Sequence, residues 1–387
     1  MLKTKKRIGR IPSLGMYVHV PFCSTTCDFC AFYQERPSKK GFDSYFNGLK
    51  REFQLDGSDR FFSTIFIGGG TPGILSTDQL EEIGGLIKAQ NLSSSCEWTV
   101  EIAPAEITPE KLETMLEIGV TRISLGIQTF DSSLMQELGR AHSVETALKS
   151  YSLVRSVGFE SVNLDLIFGM PGQSEKMWEN DLRQAVELEP DHLSTYCLTF
   201  EEDTALFVKL SKGELKIDPE KEAVFYEKAW DFLPQQGYAQ YEISNFAKPG
   251  NECIHNLNTW GMNEWIGYGP SASTQYKGIR RKNLSNLEAW EEQTKFPEKR
   301  NFEEFQKMDA DELAHDAVTF GLRMNQGISL DEIAKNFDLP LSSFELIESF
   351  LWKLHSQDLV EKNLNWKLSK KGRMLADGVI REMPEII

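Results

Sequence analysis

Short apolar runs alternate with longer amphipathic stretches from about Met16 to Phe200. This alternation predicts βα units and a parallel sheet, because strands buried under helices appear as short apolar runs while the helices show one apolar face. Six such units suit a barrel or part of one. The strand candidates are residues 16–20, 64–67, 98–102, 122–127, 161–167 and 192–198.

The stretch between the fourth and fifth strand candidates shows the helical pattern most clearly. Ser143 is a residue type that caps a helix start, and Gly158 is a residue type that ends one. The pattern predicts a helix over residues 143–157. Its apolar positions recur at helical spacing: Val144, Ala147, Leu148, Tyr151 and Val154.

The chain changes character after the sixth strand candidate. Residues 247–273 are rich in Gly and Pro and predict irregular structure, and the charged stretch 288–304 predicts a linker. Beyond it, residues 302–387 predict a mostly helical segment with a short strand-like part at 359–368 and a last helix. We therefore expect an α/β domain at residues 1–290 and a smaller domain at residues 300–387.

Polar and apolar residues alternate within the strand candidates, so that the polar residues share one face. Alternate residues of a barrel strand face the lumen and the helical layer. A lumen filled only by Val, Ile and Leu would not need this pattern. We expect a polar lumen that holds a ligand, lined by Tyr17, His19, Thr99, Glu101, Arg122, Ser124, Gln128, Asn163 and Asp165.

Composition excludes several classes of protein. Among 387 residues, Lys and Arg total 42 against 58 Asp and Glu, a net charge of -16, which is the wrong sign for a broad nucleic-acid surface. No run of 18 apolar residues predicts a transmembrane segment. The basic residues 1–10 are not followed by the apolar run of a signal peptide, so we expect a cytoplasmic protein.

Three of the six cysteines fall within residues 23–30, CSTTCDFC, just after the first strand candidate. Thiolates suit iron–sulfur clusters or zinc, but structural zinc usually takes four ligands and no second CxxC follows. Three thiolates on a [4Fe–4S] cluster leave one iron open to a small molecule, so the pattern favours a cluster. We interpret the isolated Cys96, Cys197 and Cys253 as buried packing residues.

The CxxxCxxC spacing on the first loop of a βα series resembles the radical S-adenosylmethionine (SAM) superfamily. The resemblance implies a partial (β/α)6 barrel, a [4Fe–4S] cluster held by Cys23, Cys27 and Cys30, and SAM on the open iron. Residues 17–23, YVHVPFC, resemble the branch that holds oxygen-independent coproporphyrinogen III oxidase and the HemW-type haem chaperones.

Further motifs of that branch follow in order. Residues 68–72, GGGTP, follow a strand candidate and resemble the motif that receives the amino group of SAM. Glu101 matches the glutamate of a Glu-x-Asn-Pro signature, although Ala103 replaces the Asn. By resemblance, Phe29 packs beside the cluster. The residues implied to hold SAM are Tyr17, Gly69, Gly70, Thr71, Glu101, Gln128, Arg140 and Asp165.

Two features separate the types within this branch. The oxidase type carries a further cysteine soon after the triad and a long N-terminal extension, whereas Ala31 and Phe32 follow Cys30 here and 22 residues precede Cys23. Residues 255–260, HNLNTW, resemble the HNxxYW signature of the HemW type, with Thr259 in place of tyrosine. The resemblance implies that His255 is a haem ligand.

The function implied is that of a haem chaperone, which binds haem and delivers it to acceptor haemoproteins. The implied partners include a reductant for the cluster and membrane haemoproteins, which the protein would contact peripherally. Nucleic acid is not an implied partner. Residues 318–324 and 368–375 resemble the small, winged-helix-like C-terminal domain of the branch. Coproporphyrinogen oxidase and a radical enzyme on another substrate stay open as alternative functions. Whether SAM is cleaved in the normal cycle stays open as well.

Overall fold

A twelve-stranded sheet is the framework of the computed structural model, which describes residues 14–55, 60–140 and 142–387. The basic segment 1–10 and Ala141 lie outside the described residues. Six parallel strands form the centre of the sheet and follow one another in chain order. They are β1 (Leu14–Val20), β2 (Phe61–Gly69), β3 (Asn91–Ile102), β4 (Arg122–Gln128), β5 (Ser161–Phe168) and β6 (His192–Cys197).

All six strand predictions are confirmed, with ends that differ by up to seven residues at the start of β3. Helices connect the strands, as the parallel pairing requires. The predicted helix is confirmed as well: the Ser143 side chain accepts a hydrogen bond from the Thr146 N–H, and Gly158 ends the helix at a φ of 93°. The connecting helices are α1 (Lys39–Leu55), α2 (Thr77–Lys88), α3 (Pro109–Ile118), α4 (Ser132–Glu137), α5 (Val144–Val157) and α6 (Glu175–Glu187).

The sheet continues on both sides of the six parallel strands and, in the described part of the chain, does not close into a full barrel. After α7 (Ala205–Ser211) and α8 (Pro219–Gln235), the strands β7 (Ala239–Gln240) and β8 (Asn245–Ala247) extend it beyond β6. The partial-barrel prediction is confirmed. On the other side lie β9 (Trp265–Tyr268), β10 (Ser273–Tyr276), β11 (Ile279–Lys282) and β12 (Glu304–Lys307).

Two predictions for the region after the parallel strands are wrong. Residues 247–273 are not irregular throughout, because they contain α9 (Ile254–Trp260) and β9, which pairs in parallel with β1. The charged stretch 288–304 is not a linker, because it contains most of α10 (Leu287–Thr294) and the first residue of β12. Helix α10 packs against α1 and buries Trp290, which is 1% exposed. The few buried positions of this helix lie among many charged residues, so the hydrophobic pattern of the sequence does not predict it.

The remaining residues are mostly helical, as predicted, and the strand-like part at 359–368 is a hairpin. A division of the chain at residues 290–300 stays a prediction, and the last strand of the large sheet, β12, lies on its C-terminal side. None of the helices in the described residues has the length and apolar character needed to span a bilayer. The elements are α11 (Ala310–Gly321), α12 (Leu330–Asn336), α13 (Glu345–Ser356), β13 (Val360–Lys362), β14 (Trp366–Leu368), α14 (Lys370–Met374) and α15 (Ala376–Arg381).

The two faces of the parallel strands differ as the alternation predicts. The apolar residues Val18, Ile67 and Val100 are buried in the core. The polar residues on the opposite face are bonded to one another across strands: Asn163 Nδ2 lies 2.7 Å from Ser124 Oγ, and Ser194 Oγ donates to Asn163 Oδ1 over 3.2 Å. The inner face of the sheet is therefore polar.

Candidate cluster and cofactor site

A cavity of about 760 Å³ lies at the carboxyl ends of the parallel strands. Open α/β sheets bind ligands at this end of their strands. Gly69, Ile102, Gln128 and Cys197 are the last residues of their strands and all line the cavity. The structure brings together here the predicted site residues Cys23, Cys27, Phe29, Cys30, Gly69, Gly70, Thr71, Glu101, Gln128, Arg140 and Asp165.

The cysteine loop follows β1 and is held from several sides. The Cys23 N–H donates to the Glu35 carbonyl over 3.1 Å, which closes the loop on itself. Asp28 joins the loop to the rest of the barrel: its N–H donates to the Leu138 carbonyl at the end of α4, and its carbonyl accepts from the Leu206 N–H in α7. The loop therefore has backbone anchors at its first thiol and between Cys27 and Cys30.

The three thiols interact with one another electrostatically. Burial, and then the charges of Cys30 and Cys27, raise the pKa of Cys23 to about 12. The Arg140 guanidinium opposes this effect and donates from Nη1 to Cys27 Sγ over 3.4 Å. Because thiolates are the ligand form, a cationic centre is needed to keep Cys23 and Cys30, whose pKa values are raised, deprotonated at neutral pH.

Arg140 also fixes the end of β4. Its Nη2 donates to the Gly126 carbonyl, so one side chain joins this strand to the cysteine loop. Two residues further on, Gln128 has a φ of 73°, at the point where the register of β4 against β5 shifts. This left-handed conformation is uncommon for a residue with a side chain and turns Gln128 toward the cavity.

The glycine motif packs closely against the start of the cysteine loop. A Cβ on Gly70 would lie 2.5 Å from the Phe22 carbonyl oxygen, and Gly69 has a φ of 107°. The Thr71 N–H donates to the Phe22 carbonyl over 2.8 Å. Gly70 is therefore required by backbone contact and Gly69 by its left-handed conformation, and both leave room for a ligand on the side that lines the cavity.

Two carboxyl groups face the cavity from β3 and β5. Burial, and then the charge of Asp165, raise the pKa of Glu101 to about 8, while a hydrogen bond from the Gly69 N–H lowers it. Asp165 accepts hydrogen bonds from Ser124 Oγ at 3.0 Å and Asn163 Nδ2 at 2.7 Å. Burial raises the pKa of Asp165 too. The pair suits a ligand that carries a cationic group or several hydroxyl donors.

Tyr17 and Phe29 differ in their relation to the cavity. Phe29 lines it and packs beside a small apolar cluster that includes Leu138 and Leu198. Tyr17 lies outside the lining, and its hydroxyl donates to His19 Nδ1 over 3.0 Å. A Cβ on Gly69 would lie 2.6 Å from the His19 ring, so Tyr17 supports the glycine motif through His19.

His255 lies near the opposite end of the strands. Its Nδ1 is 3.0 Å from Thr64 Oγ1, and its ring centroid is 5.1 Å from that of Phe66. Thr64 and Gly69 are five residues apart on β2, which corresponds to about 16 Å along the strand. Burial, and then the charge of Arg122, lower the pKa of His255 to about 4, so the imidazole is neutral. The structure therefore does not bring His255 into the cysteine cavity.

The three isolated cysteines have different surroundings. Cys253 is buried, as predicted, and its thiol donates to the Glu97 carboxylate over 3.6 Å. Cys96 and Cys197 are half-buried rather than buried, and both pack against the hydrophobic core. Cys197 ends β6 at the rim of the sheet and lines the cavity for that reason.

Comparison with known proteins gives matches over nearly the whole chain. A family model described as Radical SAM superfamily matches residues 17–185. The protein named Heme chaperone HemW from Bacillus subtilis (strain 168) is 34% identical over 362 residues, which covers 90% of this chain and 91% of that protein.

The chain belongs to the HemW family.

Other HemW proteins agree with this assignment. The Heme chaperone HemW of Escherichia coli (strain K12) is 36% identical over 272 residues, 68% of this chain and 70% of that protein. Among solved structures, the coproporphyrinogen III oxidase HemN from Escherichia coli, described as a radical SAM enzyme, superimposes with a TM-score of 0.82 at 24% identity. It covers 96% of this chain and 90% of HemN, so this HemW-family chain has the HemN fold.

The donor set of this HemW-family chain fits the [4Fe–4S] cluster and SAM that the radical SAM superfamily carries. In the described ranges, no three His, Cys, Asp or Glu side chains converge on a single metal ion. A cubane spreads its ligands over three irons, farther apart than the ligands of one zinc ion. The Nε of Arg140 is buried without a partner beside these thiols. The cavity therefore offers three thiols and an unused donor.

Sequence reasoning missed Asp181, which lies outside the cavity lining but supports the segment that follows β4. Its carboxylate accepts from Thr129 Oγ1 at 2.8 Å and from the Phe130 N–H at 2.7 Å, directly after Gln128. Asp181 thereby secures the turn that follows β4. The sequence does contain a signal for this role: Asp181 is an acidic residue on the apolar face of α6, between the buried Trp178 and Leu182.

Replacing Glu101 by Gln is expected to reduce the pH dependence of stability in protein without cluster or SAM. The pKa of Glu101 rises from 4.5 to about 8 on folding, so the folded state keeps a proton that the unfolded state releases between these values. The free energy of unfolding therefore falls as the pH rises through this window. The fall should be smaller in Glu101→Gln by about 2 kcal/mol.

Urea unfolding at pH 5 and pH 8 measures this difference. Glu113→Gln, a change at an exposed position on α3, is the matched control and should behave like the wild type. Equal pH dependence in the wild type and Glu101→Gln would show that the carboxyl does not keep its proton in the folded protein.

Proposed function

We propose that this chain is a haem chaperone that binds haem through His255 and delivers it to acceptor haemoproteins. The observation that carries the proposal is the 34% identity, over 90% of the chain, to a protein named Heme chaperone HemW. A neutral, buried imidazole on a short helix agrees with it, because the neutral form is the one that ligates iron.

We propose further that the cavity holds the cluster and SAM. Cys23, Cys27 and Cys30 would ligate the cluster, which supplies an electron to SAM when both are bound. Phe29 would keep water from the cluster. The polar groups proposed to receive SAM are the backbone of Gly69, Gly70 and Thr71 and the side chains of Glu101, Gln128, Arg140 and Asp165, while Tyr17 supports the glycine motif through His19.

Several finer points stay predictions from the sequence. They are the cytoplasmic location, the reductant for the cluster and the peripheral contact with membrane haemoproteins. Trp260 is the last residue of the HNLNTW motif. In the structure its ring lies 6.1 Å from that of Phe320 and 5.0 Å from the Arg323 guanidinium, so Trp260 joins α9 to the C-terminal helices.

A haem titration followed by absorbance tests the proposal. The wild type is expected to bind haem stoichiometrically, and His255→Ala should bind at least about tenfold more weakly because the axial bond to iron is lost. His355→Ala, at the end of α13 and far along the chain from the haem motif, is the control and should bind like the wild type.

Two results would contradict the proposal. One is haem binding by His255→Ala that matches the wild type in affinity and spectrum. The other is catalytic formation of protoporphyrinogen when the reconstituted protein is incubated anaerobically with coproporphyrinogen, SAM and a reductant, because that is the activity of the oxidase alternative.

A further inference from the structure

The helix that carries His255 is capped by a side chain from a distant strand. The N-cap residue of α9, Cys253, makes no side-chain cap hydrogen bond. Instead, the carboxylate of Glu97, on β3, accepts from the Ile254 N–H at 2.9 Å on one oxygen and from the His255 N–H at 2.9 Å on the other. Both oxygens of one carboxylate therefore fix the first turn of α9, including the backbone of His255 itself.

The His255 ring is fixed by a second contact, from β2. Thr64, which is fully buried, places Oγ1 3.0 Å from Nδ1. A Cβ on Gly15 would lie 3.2 Å from the ring carbon Cε1, which shows how closely β1 approaches the ring. In the part of the chain that the structure describes, no hydrogen bond involves His255 Nε2.

We propose that Glu97 and Thr64 are positioning residues of the haem site. Glu97 holds the backbone of His255, and Thr64 accepts a hydrogen bond from Nδ1–H, which leaves the lone pair of Nε2 for the iron. This inference rests on the proposed function, and neither residue touches the iron. The tautomer of a ligating histidine is commonly set by the hydrogen bond that its other nitrogen makes.

The charges around this arrangement are consistent with its role. Arg122, at the start of β4, is 3% exposed and interacts electrostatically with Glu97, which gives the carboxylate a buried counter-charge. The same guanidinium disfavours a proton on His255. The half-buried Glu97 carboxylate accepts both N–H groups with its two oxygens, whereas an amide in its place would present an NH2 group to one of the N–H donors.

The variants Glu97→Gln and Thr64→Val test the two contacts separately. Each keeps the size of the side chain and removes one interaction. We expect both to bind haem about 10- to 100-fold more weakly than the wild type, the range seen when a partner of a metal ligand is removed. Glu113→Gln on α3 is the matched control for Glu97→Gln and should leave haem binding unchanged.

Three measurements separate positioning from general damage to the fold. The electron paramagnetic resonance spectrum of bound ferric haem should change in both variants, because the orientation of the axial imidazole changes. Absorbance of the iron–sulfur cluster should stay as in the wild type. In protein without haem, amide hydrogen exchange over residues 254–260 should become faster in Glu97→Gln and stay unchanged in Glu113→Gln.

The outcomes distinguish this inference from the proposed function. If His255→Ala loses haem binding while Glu97→Gln and Thr64→Val bind as the wild type does, the positioning role is overturned and the proposed function stands. If His255→Ala binds like the wild type, the proposed function fails and the haem-site role fails with it. Unchanged amide hydrogen exchange over residues 254–260 in Glu97→Gln would be enough to overturn the anchoring of α9 by Glu97.

Discussion

Cys27→Ala protein, purified or reconstituted without oxygen, is expected to lose the visible absorption of an iron–sulfur cluster. Cys27 lies between the other two thiols in the loop, and Arg140 donates to its sulfur. With two thiolates left, the cluster would have too few protein ligands to be retained. Cys96→Ala should keep the chromophore, because Cys96 lies on β3 outside the cavity lining.

Iron and sulfide analysis alongside the absorption spectrum makes this experiment quantitative. We expect about four irons per chain in the wild type and in Cys96→Ala, as a [4Fe–4S] cluster requires, and almost none in Cys27→Ala. A normal iron content in Cys27→Ala would remove Cys27 from the ligand set. Loss of iron in Cys96→Ala as well would mean that the cluster depends on the fold of β3 and not only on the loop.

Trp290→Ala is expected to lower the free energy of unfolding by about 3–5 kcal/mol. Trp290 is 1% exposed and fills the contact between α10 and α1. A Cβ on Gly48 would lie 2.5 Å from the Trp290 ring, so the indole packs directly on the α1 backbone. Removal of the indole leaves a large cavity that two helices cannot easily close.

Urea unfolding followed by circular dichroism measures this loss without depending on tryptophan fluorescence. Phe296→Ala is the control, because Phe296 follows α10 and is 48% exposed. That change should stay within about 0.5 kcal/mol of the wild type. Equal stability of Trp290→Ala and the wild type would mean that α10 does not contribute to the packed barrel.

The six parallel strands and helix α5 were predictable because their signals are local. Apolar runs, a cap at Ser143 and a glycine at Gly158 lie within the segments that they define. Helix α10 was missed because its buried face consists of Leu287, Trp290 and Thr294 in a charged stretch, and tertiary packing against α1 decides its structure. The pairing of β9 with β1 joins Trp265 to Gly15, a separation that no local pattern reports.

The cysteine loop and its SAM motifs could be predicted from spacing and resemblance, and the structure groups those residues around one cavity. The distance between this cavity and His255 could not be predicted from the sequence. Both the loop and His255 approach β1, but the loop follows its end at Val20 and His255 contacts its start near Gly15. Motif order along a chain does not tell which end of a strand a later helix reaches.

The position of β1 has a consequence for synthesis on the ribosome. β1 can pair with β2 once Gly69 has been made. Its other edge stays unpaired until β9, which begins at Trp265, is made 196 residues later. At about 5–20 residues per second this interval lasts about 10–40 s. The nascent chain therefore carries an open strand edge beside three free thiols for that time, and an unpaired edge is a template for aggregation. We expect nascent-chain chaperones to be needed most in this interval.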